Sequence, residues 1–227
     1  KYEKKAKFGK ISLKHVEKYI AELKKASPSK GVFKEDFDAE KLLVQYEKGG
    51  ACAVSILTEK DFFLGSTELF SQLRRKTSLP LLRKDFIIDE YQIYESAYLG
   101  ANAVLFIVSI LESEQLSDYI SLAKELDIAP LLEVHNEREL KAAIDSGADI
   151  IGANSRNLKT FEINKEKMKK LISIIPDEII KIAESGIQKK EDIIELKKAG
   201  ANAFLIGETL IKSGNPEELL RTWVQEE

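Results

Sequence analysis

Five short apolar runs in this chain end in side chains that carry or exchange protons. Glu22 and Lys24 lie in IAELK, Lys84 and Asp85 follow LLR, and Glu133 falls in LLEV. Asn154 ends IIGAN with Arg156 two residues on, and Glu184 closes KIAE. A sixth run, AVSIL, carries Ser55 and leads into Thr58. Side chains at i and i+2 of an extended segment share a face, so Glu22 and Lys24 project together. Two lysines, an arginine and three carboxylates in one confined space would perturb one another's proton affinity, which suits them to general acid–base work. Singly, each has a structural explanation: Glu22 with Lys24, or Lys84 with Asp85, could be an ion pair. Burying charge costs several kcal/mol unless it is compensated, so a whole set at successive segment ends is poorly explained by structure alone.

These groups meet only if the segments that carry them are brought side by side. Four stretches read almost alike: Gly50-Ala51-Cys52-Ala53-Val54, Gly100-Ala101-Asn102-Ala103-Val104, Gly147-Ala148-Asp149-Ile150-Ile151 and Gly200-Ala201-Asn202-Ala203-Phe204. Each follows an amphipathic, charge-rich run and opens an apolar one, as where a helix stops at glycine and a buried strand begins. The repeat interval of roughly 50 residues holds two strand–helix units, so four repeats make eight. Strands are expected near 19–24, 52–57, 80–84, 103–108, 129–134, 149–153, 180–184 and 203–206, all near-continuously apolar as a sheet covered on both faces requires. Helices are expected near 38–48, 66–76, 89–98, 112–126, 136–146, 164–174, 188–198 and 216–225, with Ser113 and Asn136 as caps. The alternation predicts an α/β chain of one domain, a (β/α)8 TIM barrel over 19–227 with a short N-terminal extension, a lysine-rich arm or helix over 1–18. In such barrels the strand ends that carry the ionisable groups form one catalytic face. The glycines of Ser185-Gly186 and Gly207-Glu208 fall after strands 7 and 8, where backbone amides and a helix start receive phosphate. The loop 25–37, KASPSKGVFKEDF, is expected to be a lid at that face.

Composition removes several classes. With 227 residues, 44% hydrophobic content and a net charge of −3, the chain builds one sizeable core and carries no basic field for nucleic acid. No apolar run approaches the roughly 20 residues of a membrane helix, and no signal peptide is visible, so a cytoplasmic protein with no membrane partner is expected. One cysteine excludes an internal disulfide framework, and two histidines and that cysteine leave almost no ligands for a metal. Cys52 sits at the far end of strand 2 and reads as core. His135 follows Glu133 on the same face and could be a rim residue, with structure the favoured reading; His15 lies in the arm, and Trp223 reads as packing.

The segments Ile20-Ala21-Glu22-Leu23-Lys24-Lys25-Ala26-Ser27-Pro28-Ser29-Lys30-Gly31, Ser55-Ile56-Leu57-Thr58, Leu82-Arg83-Lys84-Asp85-Phe86, Leu132-Glu133-Val134, Asn154-Ser155-Arg156-Asn157-Leu158 and Ala183-Glu184-Ser185-Gly186-Ile187 resemble the indole-3-glycerol phosphate synthase family. The resemblance runs in unbroken order over about 19–212, and its E-x-K-x-x-S-P-S and K-D-F blocks are specific. It implies a carboxy-lyase of tryptophan biosynthesis that closes, decarboxylates and dehydrates 1-(2-carboxyphenylamino)-1-deoxyribulose 5-phosphate, with no cofactor and no metal. Lys84 is then expected to protonate the ketone, with Glu133, Glu22 and Lys24 sharing the remaining proton transfers and Asn154 and Glu184 orienting substrate and lysines. Arg156 would face the substrate carboxylate. Ser27, Ser185, Gly186, Gly207 and Glu208 would grip phosphate, and Phe63, Phe86, Leu105, Ile107, Leu158 and Leu205 would wall the aromatic ring. Replacing Lys84 is expected to remove turnover and leave the fold. The partner is a small phosphorylated substrate, and the expected state is a monomer or weak oligomer.

Two departures from the family pattern stand out. Relatives carry a longer N-terminal extension over the barrel mouth than the 18 residues seen before strand 1, as a truncated chain would show. Many relatives also have a bulkier residue than Ala153 before the asparagine. Phosphoribosylanthranilate isomerase, a rival barrel, is expected to need a cysteine at the end of strand 1, where this chain has Lys24. A phospholigand sensor could dispense with Lys84 and Glu133, and a scaffold protein leaves the buried charges unexplained.

Overall fold

The computed structural model describes residues 18–28, 30–33, 36–157 and 160–225. The expected arm, with His15, and Leu158 lie outside the described residues. Eight parallel strands close into a barrel. They are β1 (Lys18–Leu23), β2 (Ala53–Leu57), β3 (Leu81–Lys84), β4 (Ala103–Ile107), β5 (Ala129–Val134), β6 (Ile150–Asn154), β7 (Ile180–Glu184) and β8 (Ala203–Ile206). Neighbours in sequence are neighbours in the sheet, and β1 seals the ring by pairing with both β8 (Ile20 opposite Leu205) and β2 (Glu22 opposite Ser55).

The helices between them are α1 (Ala39–Gly49), α2 (Thr67–Arg74), α3 (Glu90–Leu99), α4 (Ser113–Glu125), α5 (Glu137–Asp145), α6 (Lys165–Ile174), α7 (Lys190–Lys198), α8 (Glu208–Lys212) and α9 (Pro216–Gln225). The repeated glycines do what the sequence pattern asks. Gly50 and Gly100 terminate α1 and α3 in the left-handed conformation, φ 94° and 80°, which a side chain would strain. The chain then turns straight into the next strand. Asn136 caps α5 by accepting from the Glu139 amide at 3.0 Å. Ser113 does not cap α4. The cap is Glu112, without a side-chain bond, and Ser113 is already helical.

Alternation along the strands separates two cores. Ile20, Leu82, Leu105, Leu131, Ile182 and Leu205 fill the barrel interior, and Cys52 and Phe86 pack against them. The outward set, including Val54, Ile56, Val104, Phe106, Ile151 and Phe204, meets the helices. Tyr19 and Trp223 are both buried, and the Tyr19 hydroxyl donates to the Trp223 carbonyl at 2.9 Å, so Trp223 belongs to packing. Burial lifts the Cys52 thiol to about 11, which suits a packing role.

Three features escape the pattern. The β1–α1 connection contains a two-stranded antiparallel pair, Ala26–Ser27 with Gly31–Val32. The apolar run of β4 continues into Val108, which is buried but already in a short 3-10 turn, Val108–Ile110. Helix α8 has five residues, too few to show a period. Among the described residues, no helix is long and apolar enough to cross a membrane.

Candidate active site

Inward positions near the C-terminal ends of β1, β3, β5 and β7 are Glu22, Lys84, Glu133 and Glu184, and the closed ring makes them converge. Lys84 Nζ lies 2.8 Å from Glu184 Oε2, 3.4 Å from Glu22 Oε2 and 3.8 Å from Glu133 Oε2. Lys24, one step beyond β1, reaches back to Glu22 Oε1 at 2.5 Å. All three carboxylates are buried. Asp85 is not the partner of Lys84. It takes Arg83 Nη2 at 3.2 Å and the Thr58 hydroxyl at 2.6 Å. The alternation sends Arg83 and Lys84 to opposite faces, and buried Arg83 also ties the strand to α3 through Ser96 and Glu95.

The charges set one another's proton affinity. Burial raises the Glu22 carboxyl, but Lys24 and Lys84 outweigh it and hold it down at about 2. Burial works likewise on Glu133 and is outweighed by His135 and Lys84, leaving it depressed. Glu184 goes the other way: burial raises it to about 7, opposed by Lys84 and reinforced by Glu133. Burial would strip Lys84 of its proton, but Glu184, Glu22 and Glu133 prevail and keep the ammonium well above the ordinary lysine range. The mouth therefore holds two firm carboxylates, a firm ammonium and one carboxyl that exchanges protons near neutrality.

This arrangement has a signed consequence for stability. Glu22 and Glu133 stabilise the fold above the ordinary carboxylate range and lose that contribution as pH falls from about 4.5 toward 2. Glu184 binds its proton more tightly in the folded state, so stability declines as pH rises from about 4.5 to about 7. Thermal midpoints over pH 3–8 should therefore peak near pH 5. In Glu184→Gln the decline between pH 5 and 7 should shrink, and an unchanged decline would contradict the buried carboxyl.

Two contiguous cavities open from this cluster, sharing Glu22, Lys24, Lys84, Arg156 and Ser185. The apolar one is small, about 100 Å³, and is lined by Phe63, Phe86, Leu105 and Ile107 with Glu133 and Asn154 at its polar end. Glu59 accepts from the Phe62 and Phe63 amides at 2.8 and 3.0 Å and so shapes the loop that presents Phe63. The larger cavity, about 590 Å³, is lined by Ser185, Gly186, Leu205, Gly207 and Glu208 with Lys30 and Lys212 at its rim. Ser185 and Gly186 both have positive φ, 67° and 74°. For Ser185 that is a strained backbone, of the kind that persists where the surroundings impose it. A Cβ on Gly207 would come within 2.4 Å of Glu22 Oε1, so an added methyl would displace the Glu22 carboxylate from its place in the acid cluster.

Of the residues expected at the site, Glu22, Lys24, Lys84, Glu133, Asn154, Arg156, Ser185, Gly186, Gly207, Glu208, Leu205, Phe63, Phe86, Leu105 and Ile107 line one or both cavities, and Glu184 sits directly beneath. Ser27 lines neither. Its strand partner is Gly31, and Lys30 of the same loop faces the cavity instead, paired with Glu208. The Glu208 carboxylate, expected to matter only through its backbone, also pairs with Lys212 at 2.8 Å and stands 3.8 Å from Arg156. His135, read from the sequence as structural, stands beside the cluster: Nε2 is 3.2 Å from Glu133 Oε1. Among the described residues, no group of three or more His, Cys, Asp or Glu is arranged to hold a metal ion.

Acid–base groups sunk in the C-terminal mouth of a closed eight-stranded barrel, beside a glycine-lined cationic recess, define a (β/α)8-barrel enzyme. The family described as indole-3-glycerol phosphate synthase matches residues 8–223, and the chain belongs to that family. It is 48% identical over 203 residues to indole-3-glycerol phosphate synthase of Lachnoclostridium phytofermentans, covering 89% of this chain and 75% of that one. It is 45% identical over 214 residues to the enzyme of the same name from Ruminiclostridium cellulolyticum, covering 94% and 80%. Among solved structures, 3-hexulose-6-phosphate synthase of Salmonella typhimurium superposes with a TM-score of 0.73 at 12% identity, covering 92% of this chain and 97% of that one, a likeness of fold alone.

Proposed function

We propose that this chain closes, decarboxylates and dehydrates 1-(2-carboxyphenylamino)-1-deoxyribulose 5-phosphate to indole-3-glycerol phosphate, as a cytoplasmic carboxy-lyase of tryptophan biosynthesis acting as a monomer or weak oligomer. The observation that carries the chemistry is the Lys84 ammonium held by three carboxylates at 2.8–3.8 Å beside the glycine-lined recess. The ring carbon bearing the carboxylate attacks the ketone, and Lys84 gives its proton to the oxygen. Three carboxylates keep that ammonium charged until an alkoxide, a stronger base, develops beside it. Loss of CO₂ returns the electron pair to the ring. The new hydroxyl then leaves as water on a second proton, supplied from Lys84 after recharging or from the protonated Glu184. Glu133, ionised, takes the proton from the adjacent methylene carbon. One proton is consumed overall, matching a carboxylate lost as CO₂.

Phosphate is received by Ser185, Gly186, Gly207 and Glu208 with Lys30 and Lys212 at the rim, and the aromatic ring lies against Phe63, Phe86, Leu105 and Ile107. Arg156, which lines both cavities, would face the ring carboxylate. The direct test is the rise of indole fluorescence when the purified chain meets the substrate, and no rise would end the proposal. Gly186→Ala tests the recess. Its methyl would sit 2.7 Å from Ile163 Cγ2 and 3.0 Å from Ser155 Oγ, on a backbone with φ +74°. KM should rise by about tenfold and inhibition by inorganic phosphate weaken in parallel, with kcat changed less.

A further inference from the structure

Glu133 meets a different cation at each oxygen. Oε2 lies 3.8 Å from Lys84 Nζ of β3, and Oε1 lies 3.2 Å from His135 Nε2, an ion-pair distance without hydrogen-bond alignment. The imidazole is held from behind. Its Nδ1 lies 3.1 Å from Glu139 Oε2, and that same oxygen accepts from the His135 amide at 2.7 Å. Glu139 is fixed in turn by the Asn136 cap of α5. With a carboxylate within 3.2 Å of each ring nitrogen, the field on both sides of the ring favours the imidazolium over the neutral form. Burial opposes that charge, yet Glu133 and Glu139 prevail and raise the ring to about 9.

We propose that His135 is a positioning residue: its imidazolium, clamped between Glu139 and Glu133, fixes the Glu133 carboxylate in orientation and charge so that Oε2 faces the reacting atoms. This rests on Glu133 taking a proton in the reaction proposed above. The other groups facing this pair are Lys84 from β3, Asn154 from β6 and Glu184 from β7. On α5, Glu137 turns away to Lys170, and the 3-10 turn packed against α5 holds no titratable side chain.

Two measurements test the clamp, one of them independent of turnover. The chain has two histidines, so His15→Asn leaves the His135 ring as the single imidazole signal in an NMR titration. The ring should stay protonated past pH 8, and in Glu139→Gln it should titrate at least one pH unit lower. A neutral ring at pH 7 in the unmodified protein would overturn the proposal. In kinetics, His135→Gln should lower kcat at least tenfold with KM within about twofold. The acid limb of kcat/KM should move up by a pH unit or more, because Glu133 loses a neighbouring cation. Glu139→Gln, which leaves the imidazole in place, should shift the limb in the same direction by less. A profile that keeps its shape and only scales down would mark His135 as merely structural and also overturn the proposal. If the unmodified chain shows no turnover, the proposed reaction fails and the NMR titration alone decides the clamp.

Discussion

Lys84→Ala should reduce turnover by about 10³-fold or more while the barrel still closes. Among the described residues, the Lys84 ammonium is the one cation paired with Glu22, Glu133 and Glu184 together, so no described neighbour replaces it as proton donor and electrostatic partner. On sequence grounds the substitution reads as harmless to the fold, since a charged side chain at a strand end contributes no core. The structure adds an electrostatic penalty. Without the ammonium, three buried carboxylates confront one another, and breaking such a group costs about 3 kcal/mol or more. Part of that is relieved when Glu184, already raised to about 7, takes up a proton. The variant should therefore be less stable than the parent at pH 7, by several degrees in thermal midpoint, and closer to it at pH 5. Single-turnover fluorescence and melting curves at the two pH values check both halves. Near-parental turnover would remove Lys84 from the mechanism.

Gly152→Ala should lower kcat by about 10²-fold although it replaces no charged residue. Gly152 lies on β6 across from Glu133, and a methyl there would stand 2.0 Å from Glu184 Oε1 and 3.0 Å from its Cδ. Glu184 is completely buried and Leu131 Cδ1 lies 3.3 Å from the added carbon, so the crowded carboxylate has to turn, and a turn that moves Oε1 also moves the Oε2 that holds Lys84. The 2.8 Å bond that orients the ammonium is then lost. Glu184→Asp withdraws the carboxylate by one carbon, so the double variant should be more active than Gly152→Ala alone. Two effects that simply multiply would show that the methyl acts by some other route.

The barrel was legible because its grammar is local. Gly50 and Gly100 stop helices by backbone stereochemistry, and apolar runs of strand length follow at once, so neither signal needs a partner elsewhere in the chain. Hence all eight strands were read within a residue or two of their bounds. Short or irregular pieces were not: α8 is too brief to show a period, and the pairing of Ala26–Ser27 with Gly31–Val32 leaves no hydrophobic trace. Residue types at strand ends identified the ionisable set around Lys84, but not who faces whom. Sequence proximity favoured Lys84 with Asp85, and alternation within β3 sent those neighbours to different partners.

Composition and order along the chain thus determined the architecture, the end of the barrel where ionisable groups gather and the family to which the chain belongs. Proton ownership was decided only by the closed ring. Which carboxylate is depressed and which is raised depends on distances of 2.8–3.8 Å between strands far apart in sequence, and on the burial that closure imposes. The same holds for His135, whose two carboxylate neighbours come from β5 and α5, and for Lys30 and Glu208, joined from opposite ends of the chain. Charge interactions weaken with distance and are screened by water, so their strength exists only once the fold has set the spacing and excluded the solvent.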